Sequence, residues 1–407
     1  MSSLLWPKIH RFLSYAALSY LEKALIFAFP LSVMYLTDDK ARYNQIEFIF
    51  ASAAVCGLFL DGGLKIYLLY AYKKSDESIE LVKDIFGSFK LLLIIYFVIV
   101  VMIGVGVTFI MPDRLLDLIG TSTRALYLAM IGFLAVWYRI ADTPSKVFYF
   151  SIPLYIAGGV LIWTLGDIGD VRFAIALGVP HLLTVLSVLA LVGLTNIKSS
   201  IGTLISHIGA ALKYGWPILA TVALAMAISN FGKLYAYGHL NENEMFKLSF
   251  SQRLAISIQL GHVAICGYLS KQLFISNSKS FHLQAFFSYL VILVITSIIA
   301  YGLAWLTPYF GLNIIFKIDS TLNLIIVYTL LWCISSYLEL YINRANKNIF
   351  ILASAFTAAS VFFTWIVFTN GPMVNRIATA MVFGAVSNLM IIVFSLYIIR
   401  HILPRLI

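Results

Sequence analysis

Residues 11–74 decide the fold of this chain, and they read RFLSYAALSYLEKALIFAFPLSVMYLTDDKARYNQIEFIFASAAVCGLFLDGGLKIYLLYAYKK. Two strongly apolar runs lie within them, 12–36 and 44–70. A helix rises about 1.5 Å per residue and the hydrocarbon core of a bilayer is about 30 Å thick, so each run is long enough to cross a membrane as a helix. The stretch therefore predicts two membrane-spanning helices at the start of the chain.

Both predicted spans carry charged residues at depths where contact with lipid is costly. Glu22 and Lys23 lie about 15 Å into the first run. In the second run Asp61 and Lys65 lie one helical turn apart, on the same face as Glu47. A charged side chain near the bilayer centre costs about 2.5–3.5 kcal/mol on insertion scales. These helices are therefore predicted to line a water-accessible interior.

The composition of the chain is that of a polytopic membrane protein. Of its 407 residues, 61% are hydrophobic and only 11% are charged, whereas soluble domains are usually about 25% charged. We predict an all-α, polytopic integral membrane protein with about 12 transmembrane helices, because ten further apolar runs follow the first two. These runs are 85–110, 121–139, 146–165, 173–194, 214–237, 245–270, 283–310, 322–342, 349–368 and 377–399.

The second half of the chain repeats the arrangement of the first. A basic stretch, a proline-containing span, a polar outer turn and a second span with polar residues begin near residue 11 and again near residue 212. We therefore predict two pseudo-symmetric six-helix lobes, 1–195 and 214–407, joined by a cytoplasmic linker at 196–213. Parallel halves of this kind are typical of transporters that bind substrate between them.

Basic residues are distributed unequally between alternate predicted loops. Fifteen Lys and Arg side chains lie in one set of loops and six in the other. Because cytoplasmic loops carry the excess of Lys and Arg, both termini are predicted to be cytoplasmic. The net charge of +10 follows from this bias, and since the basic residues are scattered along short loops, we predict no nucleic-acid partner.

The cysteines and histidines within the apolar runs do not form a metal-binding pattern. Cys56, Cys266 and Cys333 are far apart in the sequence, and neither His181 nor His262 has a second ligand at metal spacing. We predict buried thiols, and histidines that pack or form hydrogen bonds. No metal and no cofactor are predicted.

Short motifs in both halves resemble one transporter family. They are LFLDGGLKIY in the second span, KYGWP at the start of the seventh, Asn230-x-x-Lys233 near its outer end, and the polar turn that follows. Together they resemble the O-antigen and polysaccharide flippase family (Wzx-type) of the multidrug/oligosaccharidyl-lipid/polysaccharide (MOP) exporter superfamily. The turn itself, HLNENEMFKLS, departs from the Gly-rich, Tyr-containing turn that is usual in that family.

The resemblance implies a non-enzymatic transporter in the bacterial inner membrane. It would move an undecaprenyl-diphosphate-linked oligosaccharide, such as an O-antigen or other surface polysaccharide repeat unit, from the cytoplasmic to the periplasmic leaflet by alternating access. Its implied partners are this lipid-linked substrate, membrane lipids and other membrane proteins of polysaccharide assembly. Coupling of transport to an H⁺ or Na⁺ gradient is a separate hypothesis, which depends on the acids within the spans.

A carrier of a lipid diphosphate needs cations inside its bundle, because charge acts strongly at low dielectric. We predict seven basic residues within the spans as the substrate-binding set: Arg253, Lys23, Lys65, Lys90, Arg124, Lys233 and Lys247.

Arg253 is the first candidate of this set. It lies about 12 Å inside the span that begins at Met245, on the side of the helix that carries Ser249 and Gln252. An arginine stays charged and binds two phosphate oxygens with its planar fork. The alternative is an interhelical ion pair.

Structural interpretations compete with substrate binding for the other six cations. Lys23 could bridge to another helix, since its neighbour Glu22 points about 100° away and need not pair with it. Asp61 and Lys65 could neutralise each other. The remaining four cations lie within a few turns of a membrane face and could snorkel to headgroups. If Asp61 or Glu22 carries a proton, that residue couples transport to the gradient.

Two other functions compete with the flippase. A cation-coupled multidrug exporter of the same superfamily would bind cationic amphiphiles, which a net-positive interior disfavours. A membrane-embedded glycan polymerase usually needs a large external loop or a carboxylate cluster, and Asp167 with Asp170 does not supply one.

Overall fold

A computed structural model of the chain describes residues 5–37, 39–74, 79–110, 115–141, 143–165, 170–191, 199–276, 278–307, 318–345 and 347–401. These residues form α-helices and one short 3-10 helix, Pro144–Val147, and none of them lies in a strand. The predicted all-α class is confirmed. The helices are α1 (Leu5–Thr37), α2 (Lys40–Leu60), α3 (Leu64–Lys74), α4 (Ile79–Ile110), α5 (Leu115–Ile140), α6 (Phe148–Leu165), α7 (Asp170–Leu191), α8 (Ile201–His239), α9 (Glu242–Ile275), α10 (Lys279–Leu306), α11 (Ser320–Arg344), α12 (Asn348–Phe368) and α13 (Met373–His401).

Every predicted span corresponds to helix in the part of the chain that the structure describes. Among the described residues, ten helices are long and apolar enough to cross a membrane. Two predicted spans fall short of that standard: α7 offers only a shorter apolar segment, Ile175–Leu191, and α9 contains Lys247, Gln252 and Arg253 within its length. The polytopic membrane class is therefore confirmed, with polar residues concentrated in α9.

The predicted second span, 44–70, is not one continuous helix. It breaks between α2 and α3, where Gly62 and Gly63 have φ angles of +57° and +77°. A residue without a Cβ adopts this left-handed region at little cost, so the two glycines allow the chain to leave one helix and start the next. The Asp61 carboxylate accepts a hydrogen bond from the Gly63 N–H (2.9 Å), and the Asp61 carbonyl accepts one from the Leu64 N–H (2.9 Å). Asp61 thus ends α2 and caps α3.

The chain divides into two compact units, Met1–Ala223 and Leu224–Ile407. Their boundary lies inside the continuous helix α8, later in the chain than the predicted start of the second lobe at 214. Within the predicted linker 196–213, residues 201–213 form the first turns of α8. The Ser200 hydroxyl accepts from the Thr203 N–H (3.1 Å) and so caps this helix. Residues 196–198 lie outside the described residues, as does Asp167.

The first unit is organised around α5, which packs most extensively against α2 and α7. Gly57 permits the close approach of α2, since a Cβ there would lie 3.0 Å from the Ala125 carbonyl oxygen. On the α4 side, Phe89 stacks on Phe133 with ring centres 3.9 Å apart. The polar residues of this unit's interior are therefore positioned by α5 and the helices around it.

The second unit is organised around α11, which packs against α9 and α13. Its apolar core includes Phe362 of α12 and Ile377 and Met381 of α13, all almost fully buried.

Candidate functional site

Arg124 of α5 is a deeply buried cation in the first unit. Arg124 is 5% exposed. The guanidinium carbon lies 3.4 Å from the ring centre of Phe50 on α2 and 5.8 Å from that of Tyr155 on α6. Its Nη1 lies 3.3 Å from Nε2 of His181 on α7. Side chains of three other helices therefore surround the guanidinium.

His181 is a neutral imidazole that forms a hydrogen bond with Arg124. Its Nδ1 lies 2.6 Å from the Leu177 carbonyl oxygen, which only accepts hydrogen bonds, so Nδ1 carries the proton. In the neutral ring Nε2 is then an acceptor, and it accepts from the Arg124 Nη1. A second proton on His181 would place two cations 3.3 Å apart. The predicted hydrogen-bonding role of His181 is confirmed, and its partner is a charged residue.

The charge of Arg124 is not met by an acid within the part of the chain that the structure describes: no ion pair there includes it. Its Nε has no hydrogen-bond partner. Aromatic faces stabilise a desolvated guanidinium by about 2 kcal/mol, but buried cations normally also have a carboxylate partner. The arrangement thus holds a planar cation ready for an anion, the chemistry for which arginine forks are suited.

Glu22 and Lys23 of α1 form an ion pair, with Nζ 3.4 Å from the carboxylate. The two neighbours pair although their Cβ directions differ by about 100°, because the lysine side chain is long enough to reach the carboxylate. The Glu22 side chain is 11% exposed and that of Lys23 is 32% exposed. Glu22 belongs to the same interior as Arg124, since both act electrostatically on the buried Tyr127 phenol.

Asp61 and Lys65 also form an ion pair, with Nζ 3.2 Å from the carboxylate. Asp61 and Lys65 therefore neutralise each other, which is the structural alternative to substrate binding given above. The Asp61 side chain is fully buried and that of Lys65 is 28% exposed. The lysine lies against α5 at Gly132, where a Cβ would be 3.7 Å from its Cδ.

Lys90 and Arg124 are buried, at 7% and 5% exposure, so neither snorkels to a membrane face. Snorkelling was predicted from depths counted along the apolar runs, whereas the helices begin earlier. Lys90 lies about 16 Å along α4 from the start of that helix, and Arg124 lies about 14 Å along α5. The Lys90 ammonium is 5.1 Å from the Phe86 ring centre and lines a small cavity with Met130 and Val188.

In the second unit Arg253 is 2% exposed, and the nearby Ser249 and Ser251 are fully buried. Arg253 has an interaction partner, so it is not an unpaired cation. The Gln252 amide donates to the Ser229 carbonyl oxygen (3.1 Å) and ties α9 to α8. The substrate-binding role of Arg253 stays a prediction.

The two other predicted cations of the second unit also have partners. Lys247 forms an ion pair with Asp319, whose carboxylate caps α11 by accepting from the Leu322 N–H (3.1 Å). Lys233 is half-buried and interacts with other groups. Among the seven predicted cations, Arg124 therefore fits an anion-binding role best.

Sequence reasoning missed the surroundings of Arg124. Phe50, Tyr155 and His181 come from three helices far apart in the sequence, so no spacing could reveal them. It also missed a hydrogen-bonded chain in the second unit: Tyr289 donates to the Cys333 carbonyl oxygen (2.7 Å) and accepts from His262 Nδ1 (2.7 Å). This chain joins α9, α10 and α11. The hydrogen bond predicted for His262 is confirmed.

Neither a protein-family profile nor a curated protein sequence matches this chain. Several solved transporter structures match its fold. The crystal structure of the eukaryotic MATE transporter AtDTX14 matches with a TM-score of 0.65 and 13% identity, over 96% of each chain. The lipid II flippase MurJ in an inward closed conformation matches with a TM-score of 0.63 and 15% identity, over 94% of this chain and 87% of that one.

A third match is the inward-facing conformation of a multidrug resistance MATE family transporter of the MOP superfamily, with a TM-score of 0.59 and 12% identity over 95% of this chain and 96% of that one. At these identities the matches show the fold. The chain is therefore a multi-pass membrane protein with the fold of MOP superfamily transporters. This fold agrees with the superfamily that the sequence motifs resemble, and the Wzx-type resemblance stays a prediction.

Proposed function

We propose that this protein is a flippase of the bacterial inner membrane. It moves an undecaprenyl-diphosphate-linked oligosaccharide, a repeat unit of a surface polysaccharide, from the cytoplasmic to the periplasmic leaflet by alternating access. Both of its termini lie in the cytoplasm, in keeping with the Lys and Arg bias of its loops. Other membrane proteins of polysaccharide assembly supply and consume its substrate.

The observation that carries this proposal is the environment of Arg124. The substrate places a diphosphate between a prenyl chain and a hydrated sugar, so its carrier must offer a cation away from bulk water. Arg124 is 5% exposed and fixed by a neutral histidine at 3.3 Å. An anion that reaches it gains charge-assisted hydrogen bonds at a low effective dielectric.

Aromatic groups around Arg124 fit the other half of this substrate. Phe50 and Tyr155 face the guanidinium, and Tyr127 packs edge-on against His181 with ring centres 5.2 Å apart. Such rings exclude water from the cation. Tyrosine also presents an apolar face and a hydroxyl together, which suits the amphipathic surface of a sugar.

A cation-coupled multidrug exporter is the second candidate. It is favoured by the buried Glu22 in an interior with aromatic side chains, since a lipophilic cation is attracted to both an acid and aromatic faces. Two of the three similar structures described above are MATE transporters, one of them of a multidrug resistance family. Glu22 is already paired with Lys23, whereas Arg124 would repel a cation, so the flippase is the better supported of the two.

Reconstitution into proteoliposomes separates the two functions. A fluorescent lipid-diphosphate oligosaccharide and a lipophilic cationic dye are offered to the wild type, to Arg124→Gln and to Arg139→Gln. Arg139 is an exposed arginine in the last turn of the same helix and serves as the matched control. We expect the lipid to be flipped by the wild type and the control, and Arg124→Gln to lose about 100-fold in rate. Movement of the dye but not of the lipid would favour the exporter, and undiminished flipping by Arg124→Gln would reject the site.

A further inference from the structure

One carboxylate controls the break between α2 and α3. Asp61 Oδ1 accepts from the Gly63 N–H at 2.9 Å, and its Oδ2 lies 3.2 Å from the Lys65 ammonium. Both contacts cross the two glycines whose positive φ angles form the break. The negative charge of Asp61 therefore contacts both the last residue of the break, Gly63, and the second residue of α3, Lys65.

The two members of the pair differ in access. The Asp61 side chain is fully buried, whereas that of Lys65 is 28% exposed. The glycines of the break face α8: a Cβ on Gly62 would lie 3.3 Å from Ile208, and one on Gly63 would lie 3.8 Å from Ala211. If the pair separates, the lysine can turn to water while the carboxyl group stays inside.

Few other titratable groups face Asp61 from the helices packed on it. Tyr96 of α4 interacts with it electrostatically. On α5, Gly132 lies against the Lys65 side chain, and the α8 atoms nearest to Gly62 and Gly63 belong to the apolar Ile208 and Ala211. His207, next to Ile208 on α8, is hydrogen-bonded to the Ser88 hydroxyl of α4 (2.8 Å) and interacts electrostatically with Asp84. Among the described residues, Lys65 is thus the cation at ion-pair distance from Asp61.

We propose that Asp61 is a proton-operated latch on the α2–α3 break. As a carboxylate it holds Lys65 and the Gly63 N–H together and keeps the break in the observed geometry. When Oδ2 takes up a proton from the solvent to which its partner Lys65 is partly exposed, the carboxyl group becomes neutral, the attraction to Lys65 is lost, and the hydrogen bond to Gly63 weakens from a charge-assisted to a neutral one. Lys65 remains an ammonium and is released, and the break is free to change its angle.

The other acid of this interior does not have this coupling to the backbone. Glu22 also pairs with a lysine, but it lies within the continuous helix α1. A proton on Glu22 would change a charge without uncapping a helix. Of the two predicted proton carriers, Asp61 is therefore the one whose charge affects the break between α2 and α3.

Hydrogen exchange of the backbone tests the latch without any substrate, so its outcome is independent of the proposed function. The full chain in lipid nanodiscs is compared at about pH 5 and about pH 8 by mass spectrometry, and rates are corrected for the intrinsic pH dependence of exchange. We expect the amides of residues 62–66 to exchange about tenfold faster at acid pH in the wild type. Asp61→Asn should show this fast exchange at both pH values.

Three control variants identify the group that titrates. Lys65→Arg keeps the ion pair and should keep the protection of the break. Glu22→Gln removes the other acid, and His207→Gln removes the histidine beside the break; both should keep the pH dependence of the wild type. Equal protection at both pH values in the wild type would overturn the proposal, and that comparison needs no substitution. Loss of the pH dependence in His207→Gln would overturn it as well.

Discussion

Arg124 and Lys65 are both buried or half-buried cations of the first unit, but their surroundings are opposite. Lys65 has an acid one helical turn away, at 3.2 Å. Arg124 has two aromatic faces and a neutral histidine. The comparison teaches that depth alone does not make a cation available to a ligand. A buried cation is available to a ligand when the protein itself does not supply the counter-charge.

The difference also separates two ways in which a protein can hold a buried cation. A cation held by rings and a neutral hydrogen-bond acceptor keeps its full charge for an incoming anion. A cation paired with a carboxylate becomes available only when that carboxylate is neutralised. The first arrangement is suited to binding, and the second is suited to switching.

The largest expected effect comes from removing the ring on which Arg124 lies. Phe50→Ala should lower the free energy of unfolding by about 3–5 kcal/mol, because it leaves a cavity and removes the aromatic face from a buried guanidinium. Phe59→Ala, on the same helix at a residue that is 51% exposed, is the control and should cost less than about 1 kcal/mol. Denaturant titration in detergent micelles measures both. Equal losses would show that the Phe50 ring has no special role.

The next largest effect is expected from exchanging the planar guanidinium of Arg124 for an ammonium, and it is compared with the reverse exchange at Lys65. Arg124→Lys should slow lipid flipping by about 10- to 100-fold, because a point charge cannot replace a planar fork that lies flat on a ring and binds two oxygens. Lys65→Arg should flip lipid at a rate close to that of the wild type, because an arginine can pair with Asp61 equally well. Flipping assays in proteoliposomes measure both rates. A variant Arg124→Lys with the wild-type rate would remove the distinction between them.

Much of this architecture could be predicted from local sequence. The apolar runs gave the spans because their length matches a bilayer, and the i,i+4 spacing gave the Asp61–Lys65 pair as an alternative. The Gly62–Gly63 break was missed because the apolar pattern continues through it to residue 70. The surroundings of Arg124 could not be predicted, since Phe50, Tyr155 and His181 reach it only through the packing of α2, α6 and α7 on α5.

A smaller effect is expected at the break itself. Gly62→Ala should lower the free energy of unfolding by about 1–2 kcal/mol, because a residue with a Cβ is strained at a φ of +57°. Its Cβ would also press on Ile208 at 3.3 Å. Gly106→Ala is the control, since a Cβ there meets nothing within 4 Å and alanine favours the helix. Denaturant titration should show destabilisation in the first variant alone, and a stabilised Gly62→Ala would mean that the break is not needed.

The smallest effect is expected from the second ion pair. Glu22→Gln should change the free energy of unfolding by less than about 1 kcal/mol, because Lys23 is 32% exposed and a partly solvated lysine that loses its partner can be hydrated. Asp61→Asn should cost more, since the neutral amide loses the ion pair to Lys65 at a fully buried position and its oxygen accepts a weaker hydrogen bond from the Gly63 N–H. Side-by-side denaturant titrations of the two variants measure this difference. If Glu22→Gln proved the more damaging, the acid of α1 would have to be stabilising the buried charge of Arg124, and Arg124 would no longer be a cation whose counter-charge must come from a ligand.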